Sequence, residues 1–157
     1  MPDQTATAAK QFTITRVFDA PRELVWRVWT DPDEAPYWFH PRGVTTPREQ
    51  VEFDVRPGGR YRYTMVAGDG TEYRTVGTYR EVSPPARLVF TWGSPGDADD
   101  AMPLITVDLA EHGTAGEQTL LTFHLEGYAG APGDGDVYDG WSEALELLEE
   151  RVGQVGR

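Results

Sequence analysis

Apolar and polar residues alternate with a period of two along seven runs of this chain, and recur at helical spacing in two others. Phe12 to Phe18 (FTITRVF) places Phe12, Ile14 and Phe18 on or near a buried side, with an irregularity at Val17, and predicts a first strand. Asp19-Ala20-Pro21 then offers a cap candidate and a proline suited to a first helical turn. Leu24, Val25, Val28 and Trp29 follow at helical spacing, so a helix is expected to about Thr30. Asp31-Pro32-Asp33-Glu34 repeats the start signal, with carboxylates where a helix N-terminus favours negative charge. A second short helix is expected there, ending before Trp38-Phe39-His40-Pro41, with a loop over residues 42–47.

From Val51 to Trp92 four runs rich in β-branched and aromatic residues are separated by Pro57-Gly58-Gly59, Gly68-Asp69-Gly70 and Ser83-Pro84-Pro85, the pattern of an antiparallel meander. Val51, Phe53 and Val55 oppose Glu52 and Asp54; Tyr61, Tyr63 and Met65 oppose Arg60, Arg62 and Thr64. Such alternation means one covered face and one wet face. In the run Glu72 to Val82 the parities conflict, with Tyr73, Gly77 and Tyr79 on one and Val76 and Val82 on the other. A bulge at Gly77 would reconcile them, and the pattern leaves the inward face of this run open. Leu88, Phe90 and Trp92, then Ile105, Val107 and Leu109, then Leu121, Phe123 and Leu125 mark three more strands. The cover for the sheet is the helical pattern Val137 to Val152, where Tyr138, Trp141, Leu145, Leu148 and Val152 share a stripe and Asp134 or Asp136 can cap the start.

The length of 157 residues suits one domain, expected over residues 11–153 between a flexible tail at 1–10 and a short one at 154–157. A formal net charge of −12 opposes nucleic acid and anionic membrane surfaces as partners. The chain has no cysteine, which removes disulfides, thiolate metal sites and Cys nucleophiles. MPDQTATAAKQ lacks the apolar core and basic opening of a secretory signal, and no run approaches the roughly 20 apolar residues of a membrane span. A soluble, cytoplasmic protein is the expectation, with no membrane insertion.

Candidate chemistry is sparse. His40 stands at a helix end and could act as a proton donor near neutral pH; the bland reading is a loop brace. Glu81 is the other ionisable candidate for catalysis. No two histidines stand three to five residues apart, and neither Asp97, Asp99 and Asp100 nor Asp134 and Asp136 complete a calcium-loop pattern, so no metal and no cofactor are expected. There is no G-x-S-x-G, and Pro57-Gly58-Gly59 leads into a strand, so it reads as a turn and not a phosphate cradle.

The runs ITRVFDAPRELVWRVWTDPDEAPYWFHP, VEFDVRPGGRYRYTM, DGTEY, GTYREVSPPARLVFTW and DGWSEALELLEERV, spanning about residues 11–153, resemble the AHSA1-like branch of the START/Bet v 1 (SRPBCC) superfamily. The resemblance implies an α+β helix-grip fold: a seven-stranded antiparallel sheet, with two short helices after the first strand, wrapped around a long C-terminal helix. It also implies an apolar cavity between sheet and helix. The family has no universal catalytic motif to carry over. Against that frame Trp38, Phe53, Tyr61, Tyr63, Met65, Phe90, Trp92, Phe123, Tyr138, Trp141 and Leu145 become the expected cavity residues, a filled core being the alternative. The mouth is expected at Trp38 to Pro41, Ser94 to Asp100 and Gly127 to Asp136. The expected function is binding of a small hydrophobic molecule, in which case Phe90→Ala or Leu145→Trp should act on binding more than on folding. A cyclase or hydrolase using the same cavity and a stress-linked, cochaperone-like contact with an Hsp90 homologue are the alternatives. Monomer and homodimer are both compatible with the pattern.

Overall fold

The computed structural model describes residues 10–155, so the expected tail at 1–10 lies, apart from Lys10, outside the described residues, as do 156 and 157. The elements run β1 (Gln11–Phe18), α1 (Arg22–Thr30), α2 (Ala35–Trp38), β2 (Val44–Thr45), a 3-10 turn (Arg48–Gln50), β3 (Glu52–Phe53), β4 (Arg60–Ala67), β5 (Glu72–Ser83) and β6 (Arg87–Thr91). A second 3-10 turn (Asp99–Ala101), β7 (Leu104–His112), β8 (Gln118–Glu126) and α3 (Val137–Val155) complete the chain, so that α3 continues through Gln154 and Val155. The strands form one antiparallel sheet in the order β1-β8-β7-β6-β5-β4-β2, with β3 also on β4. This is the α+β helix-grip arrangement, with α3 lying across the concave face.

The sheet has eight strands, one more than the alternation implies. The extra one, β2, lies in the expected loop and pairs Val44 with Ala67 and Thr45 with Val66. The run Val51 to Val55 contracts to β3, which pairs Glu52 with Arg62 and Phe53 with Tyr61. β4 is eight residues long, and a two-residue partner leaves most of its edge unpaired. Two short strands therefore share it, which satisfies backbone groups that would otherwise be left open.

The expected bulge in β5 exists, but at Arg80 rather than Gly77. Tyr61 and Gly77 stay in register across β4 and β5. The shift falls between Tyr79, opposite Phe90, and Glu81, opposite Val89. Thr75, Gly77 and Tyr79 therefore face inward before the extra residue, and Val82, opposite Leu88, packs on the core after it. Gly77 serves a different purpose: a Cβ there would lie 2.1 Å from the Thr91 carbonyl oxygen and 2.5 Å from the Tyr61 ring. The ring covers the glycine, and the Tyr61 hydroxyl donates to that same Thr91 carbonyl.

The packed core sits where α3 meets the far half of the sheet. Ile14, Phe18, Ile105, Val107, Leu121, Phe123 and Leu125 bury against Leu145, Leu148 and Val152, while α1 adds Val25, Val28 and Trp29. Each such side chain contributes about 1.5–3 kcal/mol by leaving water. The first helix starts at Arg22, with Pro21 as its N-cap and no side-chain cap bond, so Asp19 does not serve as the cap. The α2 N-cap, Glu34, likewise makes no cap bond, because its carboxylate accepts from Arg151 Nε at 2.6 Å.

Candidate functional site

Near its N-terminus α3 turns Gly140 and Ala144 toward the sheet, one helical turn apart, and neither side chain reaches across. A cavity of about 350 Å³ lies there, between the β4–β5 hairpin, the segment after α2 and the start of α3. Its floor is buried and consists of Phe39, Tyr63, Thr75, Trp141 and Ala144, with Met65 and Trp92 partly covered above it. Tyr73, Arg74, Ser94 and Asp136 are exposed at the rim, beside His40, Pro41 and Val137. The space is therefore closed at the bottom and open to solvent at the top.

The walls are mainly aromatic. Phe39 stacks on Tyr63 with ring centroids 4.2 Å apart, and Trp92 meets Trp141 edge-on at 5.8 Å. Tyr128, 41% exposed, extends this surface outward from Trp92, with centroids 6.2 Å apart. Within the apolar floor lies one polar spot: Trp92 Nε1 donates to the Tyr63 hydroxyl at 3.2 Å, and Thr75 is the cross-strand partner of Tyr63. Burial pushes the Tyr63 phenol up to about 12, the Trp92 and Thr75 hydrogen bonds opposing the rise. It remains a neutral hydroxyl at ordinary pH.

The rim segments are fixed by hydrogen bonds. Arg42, next to Pro41, spans three carboxylates on α3: its backbone N–H donates to Glu143 at 3.0 Å, and its guanidinium lies 3.7 Å from Glu146 and 2.7 Å from Glu150. The Asp134 carboxylate accepts from the backbone N–H groups of Ala131, Asp136, Tyr138 and Asp139, which caps α3 and folds the preceding loop onto it. Asp99 accepts from Thr91 Oγ1 at 3.0 Å and from Arg80 Nη2 at 2.7 Å, fastening the Ser94–Asp100 loop to β5 and β6. Among the described residues no group of three His, Cys, Asp or Glu side chains is placed to hold a metal ion. No helix among them is long and apolar enough to cross a membrane.

The eleven aromatic and apolar residues expected around a cavity divide into four groups. Tyr63, Met65, Trp92 and Trp141 line it. Phe53, Tyr61 and Phe90 surround a separate void of only about 10 Å³, beneath Phe39 and Trp29. Trp38, Phe123 and Leu145 are fully buried in the core, and Trp38 Nε1 donates to the Val28 carbonyl at 3.1 Å. Tyr138 packs on Phe12, with centroids 5.1 Å apart. Aromatic character marks the inner face of the sheet, whereas the void follows from the small residues opposite, which is why so many rings prove to be packing.

The two ionisable candidates also separate. His40 is on the cavity wall, but its Nδ1 lies 2.9 Å from the Pro41 carbonyl oxygen and its Nε2 3.1 Å from that of Pro36, so both ring nitrogens face backbone. Glu81 is exposed outside the cavity, accepting from Ser83 and lying 3.5 Å from Arg87. Sequence reasoning missed Tyr73, Arg74, Thr75, Val137, Gly140 and Ala144. For the β5 residues a signal existed. A hairpin centred on Asp69 of Gly68-Asp69-Gly70 sets Thr75 opposite Tyr63 and Tyr73 opposite Met65, as observed.

Several bacterial proteins of known structure share this architecture. One from Chromobacterium violaceum superposes with a TM-score of 0.78 at 28% identity, over 91% of this chain and 97% of its own. One from Nitrosomonas europaea gives 0.78 at 23% identity, over 95% and 97%. An AHSA1-like protein from Aeromonas hydrophila gives 0.74 at 24% identity, over 93% and 94%. The last two, at that identity, speak to the fold alone. No curated protein sequence matches the chain. Residues 19–153 match the family described as Activator of Hsp90 ATPase homolog 1-like protein. That match takes in all three helices up to Gly153 and every strand after β1, and by it the chain belongs to the Activator of Hsp90 ATPase homolog 1-like family, within the START/Bet v 1 superfamily.

Proposed function

We propose that this protein binds a small, mostly apolar molecule in the cavity between the β4–β5 hairpin and the start of α3. The observation that carries the reading is an aromatic-walled space of about 350 Å³ with a buried floor and an open rim. Small-molecule sites occupy roughly 300–1,000 Å³, so the occupant belongs at the small end of that range. Apolar burial at about 25 cal/mol per Å² supplies the affinity, and the polar spot at Tyr63 supplies orientation. The catalytic alternative has no geometric support of its own, because the His40 nitrogens face backbone carbonyls and Glu81 lies elsewhere. A cochaperone-like contact rests on the family name alone.

Native mass spectrometry of protein purified from its host, together with titration by the neutral dye Nile red, tests the reading. The expected result is a small-molecule adduct lost on denaturation, or saturable one-to-one dye binding that Gly140→Phe weakens. Absence of both an adduct and saturable binding rejects it.

A further inference from the structure

Tyr61 and Tyr63 stand two residues apart on the same face of β4, and both are buried, yet their hydroxyls are used differently. Tyr61 gives its proton to the Thr91 carbonyl. The Tyr63 oxygen instead receives the indole N–H of Trp92 at 3.2 Å, and Thr75, its cross-strand partner, lies beside it. Among the described residues neither the Tyr63 nor the Thr75 hydroxyl donates to a backbone or carboxylate oxygen, so whichever of the two gives its proton to the other, one O–H is left over. A buried donor without a partner is costly, and this one lies on the floor of a space open to ligand.

Charge narrows the occupant further. The Arg74 guanidinium at the rim lies 3.6 Å from Glu72, and both His40 nitrogens face carbonyl oxygens. Asp136 stands at the entrance of a chain with formal net charge −12. An anionic ligand would find the Asp136 carboxylate at the mouth, and among the described residues of the lining the one guanidinium, Arg74, already faces Glu72. A cationic ligand could use the aromatic faces but would leave the Tyr63 proton without an acceptor.

We infer that the cavity selects a neutral molecule carrying a carbonyl oxygen, seated with that oxygen on the Tyr63 hydroxyl and its apolar body against Phe39, Trp92 and Trp141. The inference rests on the binding function proposed above and adds the polarity of the ligand. Because the phenol stays protonated far above neutral pH, it donates under all physiological conditions. Trp92 holds its oxygen in place and Thr75 lies beside it across the strand pair, so both act as positioning residues for the donor.

Four probes with one skeleton test it by displacement of Nile red: 2-acetylnaphthalene, its carbon isostere 2-isopropenylnaphthalene, 2-naphthoate and trimethyl(2-naphthyl)ammonium. The readout is the affinity ratio of the acetyl to the isopropenyl compound, which cancels the shared apolar contribution. Tyr63→Phe should lower that ratio by about 3- to 10-fold, the worth of one net hydrogen bond, and Thr75→Val should lower it by less. The acetyl compound should also bind more tightly than either charged probe. A ratio unchanged in both variants, or tightest binding by the anion or the cation, overturns the inference while leaving hydrophobic binding intact. If neither Nile red nor any naphthalene binds, the proposed function itself fails and this inference with it.

Discussion

The Nε of Arg151, in the last turns of α3, donates to the Glu34 carboxylate at 2.6 Å, and its guanidinium lies 3.7 Å above the Tyr37 ring. The Glu34 side chain is 8% exposed and that of Arg151 20%, so this pair is shielded from solvent to an extent that surface ion pairs are not. It fixes α2 to α3, and α2 leads directly into Phe39, His40 and Pro41 on the cavity wall. Removing one partner leaves the other charge buried and unmatched. Arg151→Ala is therefore expected to cost about 2–4 kcal/mol in urea unfolding and to loosen Nile red binding as well. A loss below about 0.5 kcal/mol would show the pair to be incidental.

Gly77 has no space for a side chain beneath the Tyr61 ring. Gly77→Ala should lower stability by at least about 2 kcal/mol, since the neighbours in the way are a backbone carbonyl and a buried ring. Gly68, where an added Cβ meets nothing within 4 Å, is the control. Equal midpoints for Gly77→Ala and Gly68→Ala would contradict the packing described.

Partial burial pushes the Asp99 carboxyl up, but hydrogen bonds with Thr78 and Thr91 and the Arg80 guanidinium outweigh it and hold the group below the usual carboxylate value. A pKa depressed on folding contributes stability that is present above the unfolded value of roughly 3.9 and is lost as pH falls through the folded one. Asp99→Asn should thus be less stable than the parent at pH 7, with the gap narrowing as the pH is lowered through 4 toward 3. A gap of constant size across that range would mean that ionisation of Asp99 plays no part.

Phe90 and Leu145 were natural choices for perturbing a ligand, but both are packed core residues away from the open cavity. Phe90→Ala should cost about 3–5 kcal/mol of folding stability. Its effect on Nile red affinity, compared under conditions where the variant is fully folded, should be smaller than that of Gly140→Phe. The reverse ranking would place the ligand in the small void under Phe39.

Most of the strands, the two faces at the start of β4 and the gripping helix were legible because alternation and helical spacing report burial directly. Glu52, Arg60 and Arg62 are exposed, and Tyr61 and Tyr63 are buried, as the pattern requires, whereas Thr64, expected on the wet face, is buried. The bulge was harder to place, because Arg80 is an ordinary exposed residue and its extra step shows only as a parity change between Tyr79 and Val82. Trp38 and Trp141 look alike in sequence, yet Trp38 is sealed under α1 while Trp141 borders open space. What separates them is the size of their neighbours: Gly140 and Ala144 leave space beside Trp141, and apolar periodicity alone does not report that.

The recess exists because two neighbouring positions on one helix, Gly140 and Ala144, carry almost no side chain. Ligand capacity is thereby uncoupled from the strands: swapping these two residues for larger ones would shrink the compartment stepwise while every rung of the sheet stayed in register. A lineage built on this scaffold could change its cargo by editing a single helical turn, and Gly140→Ala, which removes backbone freedom from a helix at no steric cost, would gain about 0.5–1 kcal/mol of stability in the process.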